Sequence, residues 1–471
     1  HTGQILTISG QIFVSQTQSE SSLFRAMENM TRTENDMPSF KTTLNKCVDL
    51  FFAIGASRGK DIIDLFREAY DEDREMALRT LLWSRDIRAG AGERQIFRDL
   101  VPHFELTDKF IEKIPEVGRW DDLLCLLTGS LYEDKAINLI KQALVSGNGL
   151  CAKWMPRKGS VASILRKKLN MHPAQYRKLL VGLTKVVETQ MCSNQWTSIE
   201  YEKVPSLASA RYQKAFERHD PNRYGEYKEA LSSGDAKINA GAIYPYDCIK
   251  SLAYGDEEVA NAQWAALPDW VADNTSFLPV VDTSGSMTDH ISRNLTAMDV
   301  AVSLGLYLSE RCKGVFKDHF MTFSRDPELQ KVDGSLYQRV SQLKSAAWSM
   351  NTDLAKVFDL ILNAAVSHRV PEEHMPTMVI ILSDMQFDAC AQGTSALVMI
   401  DKKYVRARYT MPKVVFWNLD DRSGNIPVTV NDHGVALVSG FSPSIMKSVL
   451  SCKQLDPVSA MKETVCVERY D

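Results

Sequence analysis

Apolar residues in the first half of the chain recur at intervals of three and four. Leu44, Val48, Leu50 and Phe51 form one such set and Ile62, Ile63, Phe66 and Ala69 another, the spacing of helices with one buried face. From about Phe40 to Tyr254 the pattern is punctuated by Gly55, Gly59, Gly90, Gly92, Pro102, Pro115, Gly129, Gly147, Pro156, Pro173 and Pro205. The intervals suit helices of roughly 10–20 residues joined by short turns, and strand-like alternation is nearly absent. Each helix must bury its apolar face on a neighbour, so an all-α array of stacked antiparallel pairs is expected.

Near Ala265 the pattern changes. Short continuous apolar runs (Phe277–Val281, His319–Phe323, Thr377–Leu382, Lys413–Trp417 and Val435–Val438) alternate with helical stretches over Thr296–Cys312, Thr352–Val366 and, last, Pro443–Leu450. Strands without polar alternation, separated by helices, predict a doubly wound parallel sheet covered on both faces. The expected class is therefore α + α/β, with an arm over residues 1–36, a helical domain over 37–268 and an α/β domain over 269–471. The arm is rich in Gln, Ser and Thr and carries two strand-like runs, Ile5-Leu6-Thr7-Ile8 and Ile12-Phe13-Val14. It lacks the basic segment of a signal peptide and begins at His1, as a processed or partial chain would. It reads either as a flexible tail or as an arm that adds a strand to a neighbouring subunit.

Composition narrows the class. The 471 residues carry a formal net charge of −4, with 44% hydrophobic, 24% charged and 9% aromatic residues, which excludes a largely disordered, collagen-like or membrane-embedded chain. No apolar run approaches the roughly 18 residues of a membrane span. The nine cysteines are widely spaced and form no C-x-x-C pair, which argues for buried thiols in a reducing compartment. A cytoplasmic location is expected. The sequons at Asn29, Asn274 and Asn294 carry little weight without secretory signals.

Ligands of doubly wound sheets bind beyond the carboxyl ends of the strands. The first strand ends in Asp282-Thr283-Ser284-Gly285-Ser286-Met287, where Asp282, Ser284 and Ser286 place three oxygens at alternate positions. Thr352 stands at a helix start and Asp384 at the end of a central strand. Each piece alone reads equally well as a Ser-rich turn, a helix cap or a loop acid. Their joint occurrence at strand ends and a helix start favours an ion site. Hydroxyls and carboxylates without His or Cys suit Mg²⁺ or Mn²⁺ rather than zinc and leave a position open for an incoming carboxylate or phosphate. Asp353 and Asp388 lie close by in sequence but match no position of this pattern.

Asp282-x-Ser284-x-Ser286, Thr352 and Asp384 resemble the metal-ion-dependent adhesion site of von Willebrand factor A domains, and the element order from Ser276 to Leu450 resembles that fold. The resemblance implies that Ser284, Ser286 and Thr352 bind the ion directly, with Asp282 and Asp384 acting directly or through water.

In the helical half, Lys153, Arg157, Lys158, Arg166, Lys167, Lys168, Arg177, Lys178 and Lys185 form a strongly basic run with Glu188 the first acid after it, interleaved with Trp154, His172 and Tyr176. Such a run is either a solvated face or a phosphate-tracking surface with aromatic stacking. Arg85, Arg88, Arg94 and Arg98 form a smaller basic set around Gly90-Ala91-Gly92-Glu93, which lacks the lysine and spacing of a nucleotide loop.

The stretches Asp86–Arg98 and Gly118-Arg119-Trp120-Asp121-Asp122-Leu123 are similar to helical-repeat segments of the Ro (TROVE-module) RNA-binding proteins. Lys153–Lys158, Tyr176–Leu180 and Val204-Pro205-Ser206 are more similar to their uncharacterised phage and plant relatives. The resemblance, over about residues 38–471, implies a HEAT-like helical ring held shut by the A domain, with single-stranded or misfolded RNA in a basic hole. The basic run then supplies Lys153, Arg157, Lys158, Arg166, Lys167, Lys168, Arg177 and Lys178 as candidate RNA contacts. No H-E-x-x-H, G-x-S-x-G or paired acid–base arrangement is present, so no enzyme is expected. The competing expectation is a protein-interaction or assembly module, a virion component in a phage relative, whose ion captures a partner's Asp or Glu.

Overall fold

The computed structural model describes residues 27–252, 257–271, 275–323, 327–346, 352–388, 396–421 and 424–471. The apolar runs at Ile5-Leu6-Thr7-Ile8 and Ile12-Phe13-Val14 lie outside them.

A short hairpin opens the described chain, pairing β1 (Met30–Arg32) antiparallel with β2 (Pro38–Phe40). Helices follow wherever apolar residues recur at three and four: α1 (Lys46–Ile54), α2 (Ile63–Glu72), α3 (Arg74–Arg85), α4 (Gln95–Leu100), α5 (Asp108–Val117), α6 (Glu133–Val145) and α7 (Gly149–Trp154). Then come α8 (Ser160–Lys168), α9 (Pro173–Leu183), α10 (Val187–Cys192), α11 (Ser206–His219), α12 (Pro221–Ser233), α13 (Pro245–Leu252) and α14 (Glu257–Ala265). Their starts are chemically marked. Asn45, Asp73, Thr107 and Asn148 accept hydrogen bonds from the first-turn amides of α1, α3, α5 and α7. Proline opens α9 and α12, where its missing N–H costs nothing.

The α/β part contains β3 (Phe277–Val281), a small ladder of β4 (His290–Ser292) and β5 (Leu295–Thr296), α15 (Ala297–Arg311), β6 (His319–Thr322), β7 (Leu329–Lys331) and α16 (Leu336–Ser345). It continues through α17 (Leu354–His368), β8 (Met378–Ser383), α18 (Ala396–Ala407), β9 (Lys413–Asn418), β10 (Val435–Ser439), α19 (Ile445–Ser451) and α20 (Pro457–Val465). The six-stranded sheet runs β10-β9-β8-β3-β6-β7, parallel throughout except for the antiparallel edge strand β7. Every residue of β3 and β8 is buried, as a sheet covered on both faces requires. β3 and β8 pair Val281 with Leu382, so Asp282, just past β3, lies beside Ser383, the last residue of β8.

The helical array begins and ends on the α/β part. α1 packs on β10 and α20, α3 packs on α20, and α13 packs on α15 and α16. One apolar core runs from Met37 to Tyr470 through both halves, so the boundary at 268/269 is not a seam between separate cores. A smaller core, including Tyr201, Phe216, Tyr224 and Tyr227, fills the helices after Val187.

Three sequence expectations need correction. The arm does not extend to residue 36, because from Met30 the chain forms a hairpin bonded to the α/β loops; its three-residue strands are too short to show periodicity. Thr352 does not start a helix: α17 begins at Leu354 with Asp353 as its N-cap, the Asp353 carboxylate accepting from the Ala355 and Lys356 amides. The helix after Pro443 is followed by α20, capped by Asp456 and opened by Pro457.

Candidate metal centre and basic helical face

The loops after β3 and β8 place Asp282, Ser284, Ser286 and Asp384 at the carboxyl end of the two central strands. Asp282, fully buried, accepts from the Ser284 amide at 2.9 Å and from the Ser383 hydroxyl at 2.5 Å. The Ser284 and Ser286 hydroxyls lie 3.1 Å apart. Asp384 is buried in the turn after β8, its carboxylate accepting from the Gln386 amide at 3.3 Å. The next residue, Met385, takes a φ of 67°, a left-handed conformation uncommon for a non-glycine side chain, held here by its amide donating to the Ser383 hydroxyl at 3.0 Å. Thr352 closes the group: its hydroxyl donates to the Gln386 carbonyl at 2.8 Å and lies 3.2 Å from Asp388 Oδ1.

Asp388, set aside on sequence grounds, belongs to this group. Its carboxylate also accepts from the Thr352 amide at 2.7 Å. Its charge acts on Asp282, whose carboxyl is pushed above the usual carboxylate range by burial first and by the Asp388 charge in addition, against the hydrogen bonds from Ser383 and Ser284. Ser383, Gln386, Asp388 and Asn35 are the residues sequence reasoning missed. Only Ser383 carried a signal, as the neighbour of Asp384 at a strand end.

The donor chemistry fits a hard divalent ion. Buried carboxylates next to hydroxyls, with a like charge on Asp388 close by, leave a net demand for positive charge. Among the described residues no three His, Cys, Asp or Glu side chains form a cage by themselves, so an ion here relies on the hydroxyls of Ser284, Ser286 and Thr352.

The basic residues separate into two kinds. Lys153 pairs with Glu188 at 3.6 Å, and Lys168 pairs with Asp134 at 3.1 Å and Glu133 at 3.3 Å. Arg157 donates to the Thr184 hydroxyl and Arg166 to the Met171 carbonyl. Lys158, Lys167, Arg177 and Lys178 are exposed on α8, α9 and the turn before α8, and none pairs with a described acid. Of the three interleaved aromatic residues, His172 is exposed at the start of α9 and the other two are covered. Tyr176 is buried and donates to the Pro156 carbonyl, while Trp154 is covered by the Arg119 guanidinium at 4.2 Å.

The smaller arginine set is not one surface either. Arg85 is buried against Asp122 at 2.8 Å, and Arg98 pairs with Asp121 and Asp122. Only Arg88 and Arg94 face solvent.

A helical array joined to an α/β unit, with side-chain oxygens gathered at the carboxyl end of the sheet, is the arrangement to set beside known proteins. A family model described as a domain of unknown function (DUF2828) matches residues 33–102 and 160–277, and a second (DUF7788) matches 276–469, meeting at β3. The chain belongs to the family of uncharacterized protein L728 of Acanthamoeba polyphaga mimivirus, to which it is 30% identical over 503 aligned positions, covering 92% of this chain and 87% of that protein. The chain is also similar to the crystal structure of the Deinococcus radiodurans Ro (RSR) protein, with a TM-score of 0.45 and 15% identity over 90% of this chain and 100% of the other.

Proposed function

We propose that the chain is a non-catalytic, Ro-like RNA-binding protein. Its helical array, closed by an α/β unit of the von Willebrand factor A type, holds single-stranded or misfolded RNA along the positive surface of α8 and α9. The observation that supports this most is the acid-free run from Lys153 to Val187, in which Arg157, Lys158, Lys167, Arg177 and Lys178 are exposed. Lysines and arginines of this kind track phosphates without reading bases, and burial of Tyr176 favours backbone contact over stacking. Each phosphate neutralised steepens the salt dependence. Binding of a single-stranded RNA oligonucleotide should fall steeply between low and physiological salt, and Lys167→Glu with Arg177→Glu should weaken it at least about tenfold. Retention unchanged in the double variant at low salt would falsify the proposal.

In this reading Mg²⁺ or Mn²⁺ is held directly by Ser284, Ser286 and Thr352, with Asp282 and Asp384 acting directly or through water. The ion supplies an open coordination position for an oxygen donor, used for closure or for capture of a partner.

A second reading is supported by the placement of Asp282, Ser284 and Asp384 at the carboxyl ends of the adjacent central strands, with Thr352 bonded to the loop after β8. The chain would then be an assembly module whose ion binds a partner's Asp or Glu, cytoplasmic or, in a virus, part of the particle. Partner retention that survives both EDTA and Asp282→Ala would rule this out.

A further inference from the structure

The hairpin β1–β2 lies across the loops that carry the candidate ion ligands. Glu34 donates its amide to Gln386 Oε1 at 3.0 Å, and the Thr33 hydroxyl donates to the Phe387 carbonyl at 2.6 Å. Asn35 Nδ2 donates to the Gln386 carbonyl at 2.9 Å and lies 3.4 Å from the Thr352 hydroxyl oxygen. Asp36 forms an antiparallel bridge with Asp388, and Phe40 exchanges both backbone hydrogen bonds with Ile426. The turn of the hairpin therefore contacts both Thr352 and Asp388. Tertiary contact of this density is unnecessary for the hairpin's own pairing, which three residues per strand satisfy.

We propose that the hairpin Met30–Phe40 is a built-in lid on the ion site, with the turn at Thr33–Met37 covering the face on which a partner's oxygen would approach the ion. The inference rests on the ion reading above. With the lid down, Asn35 occupies the approach to Thr352 and the site is withheld from other chains. Capture of a partner carboxylate requires the turn at Thr33–Met37 to lift, which breaks the hydrogen bonds of Thr33, Glu34 and Asn35 and the Asp36–Asp388 bridge, uncovers Met37, and leaves the six-stranded sheet and the Phe40–Ile426 pair in place. Glu34, Asn35 and Asp36 are exposed at the tip, where a partner could displace them without unfolding the core.

The test uses the full chain with Mn²⁺ alone as the probe. Mn²⁺ binding is read from the loss of the free-ion paramagnetic resonance signal, and water access to the bound ion from solvent proton relaxation. Asn35→Ala and Asn35→Ala with Thr33→Val remove lid contacts, Asn35 being an exposed side chain whose truncation spares the core. Mn²⁺ is expected to bind wild type and both lid variants and to be lost in Asp282→Ala. Relaxation per bound ion should rise about twofold in the double variant, as an ion gains exchangeable water. Hairpin amides should exchange about tenfold faster, as expected when side-chain hydrogen bonds to the loop are lost. Equal relaxation and equal exchange with Mn²⁺ bound to all three proteins overturns the lid and leaves the ion site standing. Mn²⁺ bound by none of them overturns both.

Discussion

Asp86 and Arg469 are 383 positions apart, yet the Arg469 guanidinium donates to both oxygens of the Asp86 carboxylate. Asp86 is fully buried at the end of α3, and Arg469 lies in the last turn of the chain. The same carboxylate accepts from the Tyr470 hydroxyl at 2.9 Å and from the Arg88 and Ala89 amides. One acid thus shapes the turn after α3 and fastens the end of the α/β part to the start of the helical array. A few residues on, Glu93 performs a parallel task, pairing with Arg58, whose guanidinium lies 4.5 Å over the Phe441 ring. The segment Asp86–Glu93 thus makes contacts between the two parts of the chain.

Asp86→Ala should cost about 3 kcal/mol in urea unfolding, because it removes two backbone caps and leaves Arg469 and Tyr470 without their acceptor. Arg469→Ala should cost about 2 kcal/mol, since Tyr470 and the two amides still hold the buried carboxylate. A loss below about 0.5 kcal/mol for both, within the range of ordinary surface substitutions, would show that the clasp does not contribute to the fold.

Gly55 ends α1 where that helix meets the loop after β10. Its amide donates to Ser439 Oγ at 3.0 Å, and a Cβ there would lie 2.7 Å from the Gly440 amide nitrogen. Its φ of −74° suits any residue, so the constraint is one of space alone. Gly55→Ala should lower stability by about 2–3 kcal/mol through overpacking. Gly59→Ala, at a φ of 78° in open space, should cost about 1 kcal/mol through backbone strain only. Thermal unfolding of the two variants separates these causes, and equal losses would contradict the steric argument.

What the sequence made legible follows from periodicity and strand ends. Buried parallel strands have no polar alternation, so β3, β8 and β9 stood out, and the oxygens at their carboxyl ends drew notice as a set. Asp388 and Asn35 could not be found that way, because their positions depend on a loop folding back and on a hairpin docking from some 350 residues earlier. Charge runs misled for a related reason. Arg85 and Arg98 look like surface cations until Asp122 is brought against them, and Tyr176 looks available for stacking until α9 packs its ring inward. One-dimensional spacing records which face a residue occupies on its own helix, and only the packing of helices decides whether that face meets water.

The same packing governs the thiols. Burial pushes Cys47, Cys125 and Cys151 up to about 12, far from the thiolate form at neutral pH. Cys192 and Cys466 are exposed. Among the described cysteines, an aromatic disulfide reagent at pH 8 should label Cys192 and Cys466 within minutes and Cys47, Cys151, Cys248 and Cys312 only on unfolding. Cys192→Ser with Cys466→Ser should remove the fast phase contributed by these two, read by mass spectrometry of labelled peptides. Rapid labelling of Cys151 in folded protein would contradict the burial of α7 against its neighbours.

Removal of the proposed divalent ion tests the electrostatic reasoning at the carboxyl end of the sheet. Burial and the nearby Asp388 charge disfavour ionised Asp282 in the folded chain, whereas a bound cation favours it. An ion held only by the folded state adds about 2.7 kcal/mol at a concentration one hundred times its dissociation constant. Saturating Mg²⁺ should accordingly raise the melting temperature by several degrees, and EDTA should reverse the shift. Asp282→Asn keeps the shape and removes the buried charge, so in EDTA it should melt within a few degrees of wild type. In Mg²⁺ it should fall below wild type, because it loses the ion's contribution. A Mg²⁺ response of the same size in Asp282→Asn and wild type would place the ion elsewhere. A variant equally damaged with and without the ion would assign Asp282 to the fold alone.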